Sequence, residues 1–101
     1  MIVVHPSRNT LILSGELDTI SAPDLQHLVT RVCDEGARKI VLDLMNVDFM
    51  DSAGVQAILA SWGIARDHEA EFVLTPVKGA VRRALQVMGM LDVLPFARVA
   101  I

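Results

Sequence analysis

Between residues 40 and 62 the chain changes its hydrophobic period, and this change limits the possible folds more than any other feature. Ile40-Val41-Leu42-Asp43-Leu44 is an apolar run with one charge and reads as a buried strand. Val47-Asp48-Phe49-Met50-Asp51-Ser52-Ala53-Gly54 follows. Beyond Ser52 the apolar residues Val55, Ile58, Leu59 and Trp62 recur at helical spacing. A chain that moves from a strand pattern to a helical one within a few residues is leaving a sheet for a helix packed on it. Asp51 or Ser52 is then the helix N-cap, where a short oxygen-bearing side chain accepts from an otherwise unpaired amide. Gly54 admits close approach of another backbone, or relieves strain as the loop enters the helix. The Ser52 hydroxyl lies beside the positive end of the helix dipole, a place that suits an anion such as phosphate.

The rest of the chain is consistent with one small α/β domain over residues 1–101. Half of the residues are hydrophobic (52%), which excludes disorder, and no stretch approaches the roughly 20 apolar residues needed to span a bilayer. The opening Met1-Ile2-Val3-Val4-His5-Pro6 lacks a basic region and a cleavage site, and the one cysteine, Cys33, has no internal partner. Both suit a reducing cytoplasm. A net charge of −3 gives no reason to expect nucleic-acid binding.

Ile2–Val4 and Leu11–Leu13 read as a hairpin around Pro6-Ser7-Arg8-Asn9. Ser21 is a candidate N-cap for a helix reaching about Glu35, with Leu25, Leu28, Val29 and Val32 inward and Gly36 as the stop. Strand three, Lys39–Leu44, is apolar enough to be covered on both faces. The helix from Ser52 to about Asp67 carries so much apolar surface that part of it is expected to face a partner. Phe72–Leu74 makes a fourth strand, Thr75-Pro76 opens a third helix ending at Gly89, and Arg98–Ile101 forms a terminal strand. Alternating strands and helices predict helices packed against a mixed four- to five-stranded sheet.

Asp51-Ser52-Ala53-Gly54 resembles the Asp-Ser-Ser/Thr/Ala-Gly loop of the anti-sigma factor antagonist family, single-domain proteins of the STAS fold. The resemblance extends upstream to Leu13-Ser14-Gly15-Glu16-Leu17-Asp18 and downstream to Val81-Arg82-Arg83-Ala84-Leu85-Gln86-Val87-Met88-Gly89-Met90-Leu91. It implies a binding module, with no catalysis and no cofactor of its own, switched by phosphorylation of Ser52. Its partners would be an anti-sigma factor with serine kinase activity and a phosphatase, and its output the release of a sigma factor. Asp18, Met50, Asp51, Ser52, Ala53 and Gly54 would form the partner-facing surface. The chain departs from the family pattern twice. It stops where many members carry one more helix, and Asp67-His68-Glu69-Ala70-Glu71 lacks the glycine usual before strand four.

Ordinary explanations stand beside these. Ser52 and Asp51 are each explained by capping alone. No Gly-x-Ser-x-Gly elbow is present, and nothing places His5, His27 or His68 beside Ser52 as a base. Glu16, Asp18, Asp48 and Asp51 have no metal-ligand spacing and read as a solvated acidic rim. Lys78, Arg82 and Arg83 read as a solvated helix face, and Cys33 as a small buried residue. Of the adjacent apolar pair, Phe49 is assigned to the core and Met50 to the rim. Gly54 is expected to meet a docked partner's backbone. A second function of the same fold is a structural STAS subunit of a membrane transporter or signalling scaffold, without phosphate turnover.

Overall fold

A computed structural model describes residues 2–5 and 9–97, with side chains from residue 9 onward. The elements are β1 (Ile2–His5), β2 (Thr10–Leu17), α1 (Ala22–Asp34), β3 (Lys39–Met50), α2 (Ser52–Asp67), β4 (Glu71–Leu74) and α3 (Gly79–Val87). Among the described residues the sheet has four strands in the order β1-β2-β3-β4. β1 runs antiparallel to β2 as the expected hairpin, and β2, β3 and β4 are parallel. Each parallel step is bridged by a helix, as parallel pairing requires. The terminal strand expected at 98–101 lies outside the described residues; a single parallel bridge from Leu74 to Phe96 flanks β4.

One face of the sheet carries the core. Leu11 pairs with Leu42, and Ile40 and Leu42 pair with Phe72 and Leu74, all buried. Leu25 and Val29 of α1 and Ile58 of α2 are fully buried in the same cluster. The other face is only half covered at Ile12, Val41 and Val73. The expectation that β3 is buried on both sides is therefore corrected: the strand alternates rather than being dry all round.

β3 is also longer than its apolar run, extending past Leu44 to Met50. Its pairing with β2 slips twice: Ile12 and Ser14 face Asp43 and Asn46, then Gly15 and Glu16 face Val47 and Phe49. Each slip adds one residue to β3, the signature of a bulge. Inward positions consequently run Leu44, Val47, Met50, three residues apart instead of two. The first bulge is held from β4's exit. The Thr75 hydroxyl accepts from the Leu44 amide (2.8 Å) and donates to the Asp43 carboxylate (3.3 Å), which also accepts from the Met45 amide (3.0 Å). With Thr75 so engaged, α3 begins at Gly79 rather than at Thr75-Pro76.

α1 ends at Asp34, with Gly36 in the left-handed region (φ 96°) as expected. α2 spans Ser52–Asp67 as its sequence pattern indicates. Ala57, Ser61 and Ala65 on it are fully buried, and α1 packs alongside, so small side chains let the helices approach closely. Much of the apolar surface expected to await a partner is taken up within the domain. After α2 the chain turns through Glu69 at φ 59°, so a glutamate stands in a conformation that glycine adopts at far lower cost.

Candidate functional site

The parallel strands β2 and β3 finish side by side, Leu17 opposite Met50, so their following loops emerge at one end of the sheet. The carboxyl ends of parallel strands are the usual place for function in such folds. From β3 the chain passes through Asp51 into α2. Asp51 is the N-cap: its backbone is extended, and Oδ1 accepts from the Gly54 amide (3.0 Å). Ser52 is the first helical residue and is exposed, and its hydroxyl makes no hydrogen bond to the protein among the described residues. The two capping alternatives are thus resolved in favour of Asp51, and the serine hydroxyl is free.

Gly54 is buried, and its neighbour belongs to this chain rather than to a partner. A Cβ there would overlap the Leu17 carbonyl oxygen and crowd the Met50 side chain. The Leu17 oxygen also accepts from the Asp51 amide at 3.4 Å. Gly54 is therefore a requirement of the fold, the point at which α2 touches the end of β2, and the assignment of its lost Cβ to a docked partner is corrected. Met50 is corrected too: it is 3% exposed, whereas Phe49 is 48% exposed. The bulges place Met50 in the inward phase and turn Asp48 and Phe49 outward. Ala53 is half-buried beside the serine.

The β2–α1 loop lies next to this junction and is tied to itself. Asp18 Oδ1 accepts from the amides of Ile20 (3.0 Å) and Ser21 (3.1 Å). The Ser21 hydroxyl donates to the Glu16 carbonyl (2.9 Å) and accepts from the Asp18 amide (3.0 Å). Ser21 occupies the N-cap position of α1 but does not cap it with its side chain. The Ser21 amide, with the Ile20 amide and the Ser21 hydroxyl, outweighs desolvation and holds the Asp18 carboxyl below its usual pKa. At the tip stands Ile20, 86% exposed. Residue-by-residue hydropathy does not reveal that an isoleucine would be held in water.

The two segments that meet at this junction carry charge of one sign. Residues 9–30 and 43–65 include Glu16, Asp18, Asp24, Asp43, Asp48 and Asp51 but no Lys or Arg. Among the described residues no group of His, Cys, Asp or Glu could hold a metal ion. His68 lies at the far end of α2, about 24 Å from Ser52 at 1.5 Å per residue. There Nε2 meets Asp34 Oδ1 (3.1 Å) and Nδ1 meets the Ile64 carbonyl (2.9 Å). The Ile64 carbonyl, then Asp34, raise the His68 pKa. His27 is exposed on α1, and the side chain of His5 lies outside the described residues. Cys33 is buried, and desolvation raises its thiol pKa. Two surface cavities, of about 330 Å³ between Pro23, Gln26, His27, Thr30 and Ile64 and about 220 Å³ beside Arg82, Leu91 and Phe96, are not lined by Ser52. Among the described residues no helix is long and apolar enough to cross a membrane.

Known proteins share this fold. BtrV of Bordetella bronchiseptica, named as an anti-sigma factor antagonist, is 32% identical over 85 residues, 84% of this chain and 73% of its own. The crystal structure of an anti-sigma factor antagonist from Mycobacterium paratuberculosis superposes with a TM-score of 0.76 at 24% identity, over 98% of this chain and 86% of the other. SpoIIAA, a Bacillus cell fate determinant solved in its phosphorylated form, superposes with a TM-score of 0.65 at 22% identity, over 97% and 90%. The sequence model of the STAS domain matches residues 1–99. With nearly its whole length matched by that model, the chain belongs to the STAS domain family.

Proposed function

We propose that this chain is an anti-sigma factor antagonist acting in the cytoplasm as a single domain, and that Ser52 is its phosphorylation site. In this reading the unphosphorylated protein binds an anti-sigma factor that is also a serine kinase, and so frees a sigma factor for transcription. The kinase, with ATP and Mg²⁺, phosphorylates Ser52 and ends the association; a phosphatase restores it. One observation carries the reading. Asp51 caps the helix, so the exposed Ser52 hydroxyl beside it has no structural bond to give up. The relatives named as antagonists support the partner class, and SpoIIAA was solved in a phosphorylated form. The chain has no Walker loop or kinase signature, so the phosphoryl-transfer chemistry belongs to the partner.

Phosphate would add about 1.5 to 2 negative charges between two segments, residues 9–30 and 43–65, that carry no Lys or Arg. The amides at the start of α2 can solvate part of that charge, so the fold should change little. A docking partner, by contrast, would have to strip water from the group, and an unpaired buried charge costs several kcal/mol. Repulsion between exposed charges is screened within about 10 Å at 0.1 M salt. The affinity lost on phosphorylation should therefore stay lost at high salt.

The test is intact-mass analysis after incubation with the anti-sigma kinase and ATP. One phosphate is expected on the wild type and none on Ser52→Ala, whose stability should differ by less than about 0.5 kcal/mol. Full phosphorylation of the Ala variant overturns the assignment. The alternative, a transporter or scaffold subunit that does not turn phosphate over, predicts no labelling of either protein.

A further inference from the structure

We propose that Ile20 is the apolar anchor by which the unphosphorylated chain holds its anti-sigma partner, and that Asp18 serves as a positioning residue for it. This rests on the reading above and assigns the energy of the interface to residues on a different loop from the serine. Three observations meet here. Ile20 is 86% exposed, a large apolar side chain standing almost wholly in water. Its backbone is fixed, because Asp18 Oδ1 accepts from the Ile20 and Ser21 amides while the Ser21 hydroxyl bridges to the Glu16 carbonyl. The loop leaves β2 at Leu17, whose carbonyl contacts Gly54 and Asp51, so Ile20 is set by the same backbone contact that sets the start of α2.

A side chain on a backbone already ordered before binding loses less entropy on docking than one on a mobile loop, which is what makes an anchor effective. The partner's chemistry follows from the surroundings. Glu16, Asp48 and Asp51 are close in sequence or register, Phe49 is 48% exposed opposite Glu16, and no Lys or Arg occurs in either flanking segment. The complementary surface is an apolar pocket rimmed by basic side chains. Asp18 uses its carboxylate on its own loop, and its contribution to docking passes through the geometry of Ile20.

The experiment measures affinity by calorimetry for the anti-sigma kinase shown to phosphorylate Ser52, using the full chain and the variants Ile20→Ala, Asp18→Ala, Asp18→Asn and Val87→Ala. Ile20→Ala should weaken binding about tenfold or more with an unchanged melting temperature, since the side chain buries almost nothing. Asp18→Ala should weaken it similarly, whereas Asp18→Asn, whose amide oxygen can still accept from both backbone amides, should bind within about threefold of wild type. Val87→Ala, equally exposed at 83% but on α3, should bind like wild type. If Ile20→Ala binds normally, the anchor is refuted. If Asp18→Asn loses as much as Asp18→Ala while remaining folded, the charge touches the partner directly and the positioning role is refuted. A wild type that binds no anti-sigma kinase overturns the function proposed above, and this inference with it. Should Asp18→Ala unfold, Ile20→Ala and Asp18→Asn decide the matter alone.

Discussion

At its N-terminus α2 meets the domain through backbone: Asp51 accepts from the Gly54 amide, and Gly54 rests on the Leu17 carbonyl with no room for a methyl group. At its C-terminus the contacts are made by side chains. His68 reaches Asp34 and Ile64, and the turn that follows places Glu69 at positive φ. The first end has no room for a side chain at Gly54; the second accepts a strained residue and a titratable contact. Tight geometry is found where the proposed phosphoacceptor must be presented, and looser geometry where the helix only has to stop.

Gly54→Ala tests this contrast most severely. The added Cβ has backbone on one side, so Leu17 and the start of α2 must separate, and a loss of 1 to 3 kcal/mol or more is expected in urea unfolding. A loss under about 0.5 kcal/mol would mean that the junction is not tight. Asp51→Ala should cost about 1 kcal/mol by leaving the Gly54 amide unpaired, and Asp51→Asn much less, because asparagine caps equally well. At the opposite end Glu69→Gly should stabilise the protein by up to about 1 kcal/mol, as the cost of a left-handed glutamate exceeds the entropy of an added glycine. A destabilised Glu69→Gly would show that the glutamate side chain makes up for its strain. The smallest effect is expected at His68. Its pKa is raised by folding, so the stability it contributes is fully present below the ordinary histidine value near 6.5 and is lost as pH rises through the raised one. His68→Ala should remove that dependence from unfolding midpoints measured at pH 6 and pH 8. A dependence that persists in the variant belongs to another group.

α2 was readable from sequence at both ends because a strand pattern gives way to a helical one at a residue pair suited to capping. The hairpin, α1 and β4 followed from similar local signals. What local patterns could not supply was contact between distant residues. Gly54 meets Leu17, 37 positions earlier, so its lost Cβ was explicable only once β2 and β3 were seen to end together. The exchange of Phe49 and Met50 has the same origin. Two bulges change the inward spacing of β3 from two to three, whereas the adaptability of methionine at binding surfaces favours Met50 for the rim. Thr75 looked like the opening of a helix because the amide it satisfies, that of Leu44, lies on another strand. Ser61 is a residual puzzle of packing: its hydroxyl is fully buried with no hydrogen-bond partner among the described residues, and nothing in the surrounding structure explains it.

The bulges in β3 also bear on how a cell could keep several related switches apart. They leave Asp48 and Phe49 outside the inward phase that runs through Leu44, Val47 and Met50. Substitution at either outward position leaves the buried set unchanged. On the proposed function, duplicated copies of such a chain can therefore diverge in which regulator they recognise while the scaffold and the proposed phosphoacceptor stay the same. Insulation between parallel signalling circuits then needs only a few surface changes, made within four residues of the proposed phosphoacceptor.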